Sequence, residues 1–216
     1  TTGLDTYAPE HRVRLWQFGT PDVGWVVPVE KGEEFADAAR LGLREAKRLF
    51  FQNAPFDLQE ADRHLGVPMK ELWPKVTDTK IMGHRVDPRA KEEGGYGNGL
   101  EDLTRAYIDA GIADSVKGSM AELARKHKTT KDKVFANIDL DDEDYLIYSG
   151  MDPILAARLA QKLIPRIPDR SKNLVPFEHE VAEICSYMEQ TGFLLDQEYT
   201  KGLSEQFRQT EDRYKE

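Results

Sequence analysis

The sequence predicts an α/β fold, and three observations support this class. Short runs of β-branched and aromatic residues alternate with stretches whose apolar residues recur at helical spacing, which indicates layers of strands and helices. The 216 residues are 39% hydrophobic and 32% charged, enough to bury one full core with an appendage. No apolar run approaches the roughly 18 residues of a membrane span, so no membrane partner is expected.

The first elements are predicted to form an antiparallel hairpin. Arg12–Phe18 and Trp25–Val29 are the two strand-like runs, and the residues between them, Thr20–Gly24, are typical of a turn. A helix over Glu33–Arg48 follows because its apolar residues recur at helical spacing, and a short buried strand over Arg48–Gln52 comes next. This order is the beginning of a layered α/β domain.

Helices are predicted for much of the remaining chain. Asp57–Leu65 ends at a Gly and a Pro, and Asp78–His84 suits a shorter helix. After a polar joint, Phe177–Met188 and a stretch that begins near Asp196 each show one apolar face. Together these two stretches predict a C-terminal helical appendage.

Net charge and cysteine content restrict the classes of function. The formal net charge is −9, opposite to the basic balance expected of a protein that holds long duplex DNA. A metal-dependent site that binds only a few nucleotides tolerates an acidic protein, because the ions supply local positive charge. The single cysteine, Cys185, excludes an internal disulfide and a cysteine-based zinc site and fits a reducing cytoplasm.

Asp57 is the first candidate for chemistry. The segment Asn53-Ala-Pro-Phe56-Asp57 follows a short apolar strand and opens a helix, which is where open α/β sheets build their sites. The alternative is that Asp57 only caps the helix that follows.

Tyr148 and Asp152 form a second candidate pair, because a spacing of four residues places both on one face of a continuous helix. A phenol and a carboxylate in this arrangement can hold a metal ion and a water molecule together. However, Pro153 follows Asp152, and a proline inside a helix removes a hydrogen bond. Asp152 is therefore also typical of an N-cap for a new helix over Ile154–Leu163.

These motifs resemble the DEDD exonucleases of the tyrosine subclass, the class of the 3′ to 5′ proofreading domain of family A, DNA polymerase I-like DNA polymerases. Asn53-x-x-x-Asp57 is similar to the second motif of that family, and Tyr148-x-x-x-Asp152 is similar to the third. The resemblance implies a ribonuclease H-like mixed β-sheet flanked by helices.

The first family motif is matched only by its tail. Thr1-Thr-Gly-Leu4-Asp5 is similar to the end of Asp-x-Glu-Thr-x-x-Leu, whose two carboxylates would lie immediately before Thr1. The resemblance therefore implies that this chain by itself has little or no activity, since the remaining carboxylates are too few to hold a metal pair.

The resemblance also implies the reaction, which is two-metal hydrolysis of the 3′-terminal phosphodiester of DNA. Two Mg²⁺ ions are the expected cofactors, with Mn²⁺ as the alternative. Asp57 and Asp152 would be metal ligands, and Tyr148 would orient the nucleophile.

Further residues match positions that contact a single-stranded or frayed DNA 3′ end. Thr1 and Leu4 would touch the terminal nucleotide, and Asn53 and Phe56 lie where the frayed strand should pass. For Leu4 and Phe56 the alternative is ordinary core packing.

The C-terminal region carries a further resemblance. Phe177–Asp196 is similar to the segment that joins the exonuclease to the polymerase domain in the same family. We therefore expect residues 1–168 to be the exonuclease domain and 174–216 to be the helical start of the polymerase domain. The remainder of a polymerase chain would be its partner, in the cytoplasm of a bacterium or of a phage-infected host. Two alternatives stay open: a noncatalytic exonuclease scaffold or DNA-end binding module, and a ribonuclease D-like RNA exonuclease.

Overall fold

A computed structural model describes residues 1–3, 5–130 and 133–215. Four short strands and ten helices can be followed through these residues, so the predicted mixed α/β class is confirmed, with helix predominating. Contacts within the chain divide it into two units, Thr1–Glu183 and Ile184–Glu216.

The described strands form two separate two-stranded sheets. Their bounds are β1 (Trp16–Gly19), β2 (Gly24–Val27), β3 (Leu49–Phe51) and β4 (Val76–Asp78). β1 and β2 are an antiparallel hairpin, as predicted, whereas β3 and β4 run parallel with Phe51 opposite Asp78. The two parallel strands therefore end side by side. Polar residues at these ends lead into the helices that follow.

Ten α-helices can be followed in the described residues. Their bounds are α1 (Glu33–Glu45), α2 (Ala54–Leu65), α3 (Met69–Leu72), α4 (Thr79–Val86), α5 (Leu100–Tyr107), α6 (Ala110–Lys126), α7 (Val134–Asn137), α8 (Glu143–Leu163), α9 (Leu174–Thr191) and α10 (Gln197–Lys215). The two C-terminal helices that the apolar faces predict are present as α9 and α10.

The first strand begins later than the sequence predicts. Arg14 lies within the predicted run, but its side chain turns away to form an ion pair with Glu30 at 2.7 Å. It also donates hydrogen bonds to the carbonyl oxygens of Phe135 and Ile138, at 2.7 and 2.8 Å. These contacts hold the residues before Trp16 against Glu30, Phe135 and Ile138. The pairing of β1 with β2 starts only at Trp16.

Helix α8 passes through Pro153 without a break, which decides between the two interpretations of Asp152. Asp152 lies inside a continuous helix and is not the N-cap of a new one. The hairpin packs closely on this part of α8, because a Cβ atom at Gly19 would lie 2.9 Å from the Cβ of Pro153. A Cβ at Gly24 would collide with the carbonyl oxygen of Gly150. The turn of α8 that contains Pro153 therefore packs closely against two glycines of the hairpin, Gly19 and Gly24.

The core of the first unit lies on both sides of α8. One cluster of buried residues joins α8 to the hairpin and to α6 and α7; its members are Leu15, Leu123, Val134, Ile138, Leu140 and Tyr145. A second cluster joins α8 to α4 and α5; its members are Met82, Leu103, Leu159, Leu163 and Ile167. Because α8 is buried between these groups, the position of Tyr148 and Asp152 is fixed by the core.

Candidate active site

The turn between β3 and α2 places Asp57. Asn53 adopts the left-handed backbone conformation, with φ of 70°, and α2 begins at the next residue. Asn53 itself is the N-cap residue, and its side chain makes no capping hydrogen bond. Asp57 lies in the first turn of α2, so the simple capping role considered for it from the sequence is not the one it has.

Asp78 holds this turn in place, although the sequence motifs did not single it out. Its carboxylate accepts hydrogen bonds from the backbone N–H groups of Asn53 at 3.0 Å and Ala54 at 2.8 Å. It also caps its own helix, α4, by accepting from Lys80 N–H at 2.8 Å. One buried carboxylate thus satisfies the first N–H groups of two helices. The only sequence signal was an Asp at the start of a predicted helix.

Helix α8 supplies the other two predicted groups. Tyr148 and Asp152 are one helical turn apart, and both side chains are partly buried. The ring of Tyr148 stacks on Phe135 with centroids 5.7 Å apart, and Phe135 stacks in turn on Tyr145 at 5.6 Å. The stack restricts the phenol to one side of the helix, towards Asp152.

Asp57 and Asp152 lie close enough for their charges to interact, although they are far apart in the chain. The pKa of Asp57 is raised to about 7, first by burial and then by the nearby carboxylates of Asp78, Glu60 and Asp152, against the opposing effect of the Thr1 amino group. Burial also raises the pKa of Asp152 to about 7. The pKa of the Tyr148 phenol is raised as well, mainly by burial and then by the charge of Asp152.

The charge of Asp152 therefore acts on both of the other predicted catalytic residues, Asp57 and Tyr148, and the amino terminus acts on Asp57. Burial lowers the pKa of the Thr1 amino group, whose charge interacts with Glu60 and Asp57. Among the described residues, no Lys or Arg side chain forms an ion pair with Asp57 or Asp152. The site thus concentrates negative charge that no basic side chain neutralises.

Such a pair of carboxylates fits a divalent cation. Oxygen ligands are those that Mg²⁺ prefers, and a nearby positive charge favours the ionised form of each carboxylate. Asp57 and Asp152 are the residues of this site that could hold the ion, and Tyr148 faces the same space from α8.

The predicted nucleic-acid contacts lie around this site, with one exception. Asn53 and Phe56 are partly exposed at the start of α2, within one turn of Asp57. The side-chain oxygen of Asn53 accepts a hydrogen bond from Lys80 Nζ at 2.9 Å. Thr1 is partly buried and its hydroxyl donates to the carbonyl oxygen of Gly3 at 2.9 Å. Leu4 lies outside the described residues.

A mixed α/β domain with two convergent carboxylates and a phenol defines the class of the protein as a nuclease-type enzyme domain, and the family comparison agrees. Residues 1–168 match the family model of the 3′-5′ exonuclease domain of family A DNA polymerases. The chain therefore belongs to this family, as the motif resemblance predicted.

The similar proteins are DNA polymerases of mycobacteriophages. The chain is 49% identical over 207 residues to the DNA polymerase of Mycobacterium phage L5, covering 96% of this chain and 35% of that protein. It is 46% identical over 208 residues to the DNA polymerase of Mycobacterium phage D29, covering 96% of this chain and 34% of the relative. The chain thus spans about a third of the length of these relatives.

Two further comparisons complete this description. No solved structure matches the chain. Among the described residues, every helix is too short or too polar to cross a membrane.

Proposed function

We propose that this domain removes nucleotides from the 3′ end of DNA, as the proofreading exonuclease of a DNA polymerase. One observation carries the proposal: Asp57 of α2 and Asp152 of α8 interact electrostatically at a partly buried site, and burial raises the pKa of both to about 7. The ionised form of two carboxylates without a basic partner among the described residues is unfavourable, and a bound cation would favour it.

Mg²⁺ is the cation we propose, as a pair of ions, with Mn²⁺ as a substitute. When bound, such ions clamp the attacking and leaving oxygens and offset the charge that develops on the phosphoryl group. Asp57 and Asp152 would supply carboxylate oxygens to them. Tyr148 would orient the attacking water with its hydroxyl, which its raised pKa keeps protonated at neutral pH.

The substrate would be a single-stranded or frayed DNA 3′ end. Phe56 is partly exposed one residue before Asp57, and an aromatic ring at such a position can contribute about 1–3 kcal/mol by stacking on a base. We assign contacts with the last nucleotides to Thr1, Leu4, Asn53 and Phe56. The acidic net charge of −9 fits a site that binds a few nucleotides at an end.

We also propose the wider setting of the domain. The described residues form the hairpin and the parallel strand pair as two separate sheets, and we propose that both belong to a ribonuclease H-like mixed sheet. Residues 1–168 would be the exonuclease domain and 174–216 the start of the polymerase domain. Exposed apolar residues in α10, such as Phe207 at 66%, are consistent with packing against more polymerase chain. Because both relatives are phage polymerases, we place the function in the cytoplasm of an infected bacterium.

The test is an exonuclease assay on two proteins: the chain itself, and the chain extended before Thr1 by the Asp-x-Glu of the first family motif. A single-stranded DNA oligonucleotide carries a label at its 5′ end, so that removal of 3′ nucleotides produces a ladder. With Mg²⁺, the extended protein should shorten the DNA one nucleotide at a time, and the chain itself is the comparison that shows what the added Asp and Glu contribute.

Substitutions in the extended protein connect the activity to the site. Asp57→Ala and Asp152→Ala should each reduce the rate about 100-fold or more. Each removes a ligand of the proposed ions, which offset the charge of the transition state. Asp142→Asn changes a partly buried carboxylate that pairs with Lys126, and this matched control should not change the rate. An extended protein without Mg²⁺-dependent shortening, or with a rate unaffected by Asp57→Ala, would contradict the proposal. Faster cleavage of an RNA of the same sequence would favour the ribonuclease D-like alternative.

A further inference from the structure

A second group of ligand-type side chains lies on the buried side of α2, separate from Asp152. Glu60 and His64 are one turn apart on this helix, and His11 approaches them from the segment before β1. Glu60 Oε2 lies 2.9 Å from His11 Nε2 and 3.6 Å from His64 Nε2. One ligand atom from each residue lies within 4.8 Å of the others. Two parts of the chain, the segment before β1 and α2, thus converge on one point.

The polar groups at this point are not fully satisfied by the protein. The side chains of His11 and Glu60 are only 2% and 1% exposed, whereas that of His64 is 25% exposed. Glu60 Oε1 and His64 Nε2 are buried atoms with no hydrogen-bond partner among the described residues. Leaving a buried imidazole nitrogen and carboxylate oxygen without partners costs free energy, and a cation bound to His64 Nε2 and to the Glu60 carboxylate would lower that cost.

The donor set and its spacing indicate the type of ion. Two imidazole nitrogens and one carboxylate oxygen are ligands of Zn²⁺, whereas Mg²⁺ prefers oxygen alone. Two ligand atoms that each lie about 2.0–2.1 Å from a tetrahedral Zn²⁺ are about 3.3–3.4 Å apart. The two distances from Glu60 Oε2, 2.9 and 3.6 Å, lie on either side of this value. The ligand atoms of His11 and His64 lie within 4.8 Å of each other, so the geometry is completed once the two imidazoles move closer together.

We propose that His11, Glu60 and His64 form a binding site for one Zn²⁺ ion, with a water molecule as the fourth ligand on the partly exposed side of His64. The ion would fasten the amino-terminal segment to α2, the helix that carries Asp57. Its role would be structural, since it uses neither Asp57 nor Asp152.

Other contacts already connect the same two parts of the chain. Arg63 donates a hydrogen bond to the carbonyl oxygen of Thr6 at 2.6 Å, and its guanidinium carbon lies 4.4 Å from the ring centroid of Tyr7. The Tyr7 hydroxyl donates to Gln59 Oε1 at 2.8 Å. These bonds hold residues 6 and 7 along α2, so His11 reaches Glu60 from a segment that is already positioned.

The test is Zn²⁺ binding by the purified chain, measured by competition with a chromophoric chelator. Co²⁺ is added separately, because tetrahedral Co²⁺ gives a visible absorption spectrum. The wild-type chain should bind one Zn²⁺. His64→Ala should weaken binding by about 100-fold or more, since even the groups that only orient metal ligands are worth about 10–100-fold. Glu60→Gln should weaken it as well.

Two controls make the result specific. His84→Ala removes a histidine that also lies near a carboxylate, 3.9 Å from Glu178, and should leave Zn²⁺ binding unchanged. The double variant Asp57→Asn/Asp152→Asn should retain it too, which separates this site from the proposed exonuclease site. His64 is at the rim of the cluster, so its variant should stay folded, and circular dichroism without metal checks this.

Several outcomes would overturn the proposal. These are the absence of Zn²⁺ binding by the wild-type chain, binding unaffected by His64→Ala, and binding lost in the double Asp variant. The first result would mean that His11 and Glu60 form an ordinary buried ion pair. Thermal unfolding gives an independent readout: Zn²⁺ should raise the Tm of the wild-type chain and not that of a folded His64→Ala variant.

Discussion

Carboxylates in two regions of the first unit have opposite environments. At the entrance of α8, Asp142 accepts a hydrogen bond from Tyr145 N–H and pairs with Lys126 at 2.8 Å, and this cation holds the pKa of Asp142 below its usual range. In the candidate active site, burial raises the pKa of Asp57 and Asp152 to about 7, and no Lys or Arg of the described residues pairs with either.

The difference shows what separates a stabilising acid from one that is available for chemistry. Asp142 interacts with a base on a neighbouring helix and caps its own helix, so its charge favours the folded state. Asp57 lies among other acids, so its charge disfavours the folded state until a cation is bound. We interpret this as a trade-off: the charged carboxylates of the candidate active site lower the free energy of unfolding, and the proposed function requires them.

The largest effect is expected at Asp78, a buried carboxylate whose partners are backbone N–H groups. Asp78→Ala would leave three backbone donors, a buried one on Ala54 and partly buried ones on Asn53 and Lys80, without their acceptor. The free energy of unfolding should fall by about 3 kcal/mol or more. Urea denaturation measures it. Asp142→Ala, which frees one backbone donor, should cost about 1 kcal/mol, and equal losses in the two variants would contradict this explanation.

The next effect concerns the phenol. Tyr148→Phe in the extended protein described above keeps the aromatic stack and removes only the hydroxyl, so kcat for 3′ nucleotide release should fall about 10–100-fold with little change in KM. Tyr145→Phe is the matched control, because Tyr145 stacks on the same Phe135 but the charge of Asp152 does not act on it. Equal losses in both variants would indicate that the stack, and not the hydroxyl, is required.

The smallest expected effect is on the pH dependence of stability, which compares the carboxylates of the two regions directly. The usual pKa of an Asp is 3.8, so between about pH 4 and pH 7 the folded state retains protons on Asp57 and Asp152 that the unfolded state has lost. Stability must therefore fall as the pH rises through this range. In metal-free buffer at pH 8, the double variant Asp57→Asn/Asp152→Asn should have a Tm about 2–4 °C above the wild type. The gain should vanish near pH 4.

Asp142→Asn should show the opposite sign. Its lowered pKa means that its charge stabilises the fold above the usual pKa and that this contribution is lost as the pH falls through the folded-state value. The variant should therefore melt below the wild type at pH 8, by less than the double variant gains, and the difference should shrink on acidification. Differential scanning calorimetry across pH measures both variants. Shifts of the same sign would refute the proposed difference between the two regions.

Local patterns predicted most of the helices and the hairpin, because these depend on neighbouring residues. Amphipathic spacing indicated α1 and the two C-terminal helices, and turn residues indicated the hairpin. The strand β4 was not predicted, since Val76–Asp78 is too short for a periodic signal and pairs with a strand far away in the chain. The late start of β1 was also missed, since it depends on the distant partners of Arg14.

The sequence alone determined which residues were candidates and how Tyr148 and Asp152 would be spaced on one helix, because helical geometry depends only on residues a few positions apart. Tertiary structure decided that α8 continues through Pro153, that Asp57 lies beside Asp152, and that His11 reaches α2. The physical reason is that these arrangements depend on the packing of distant elements around the core. The burial that raises the two Asp pKa values exists only after that packing has formed.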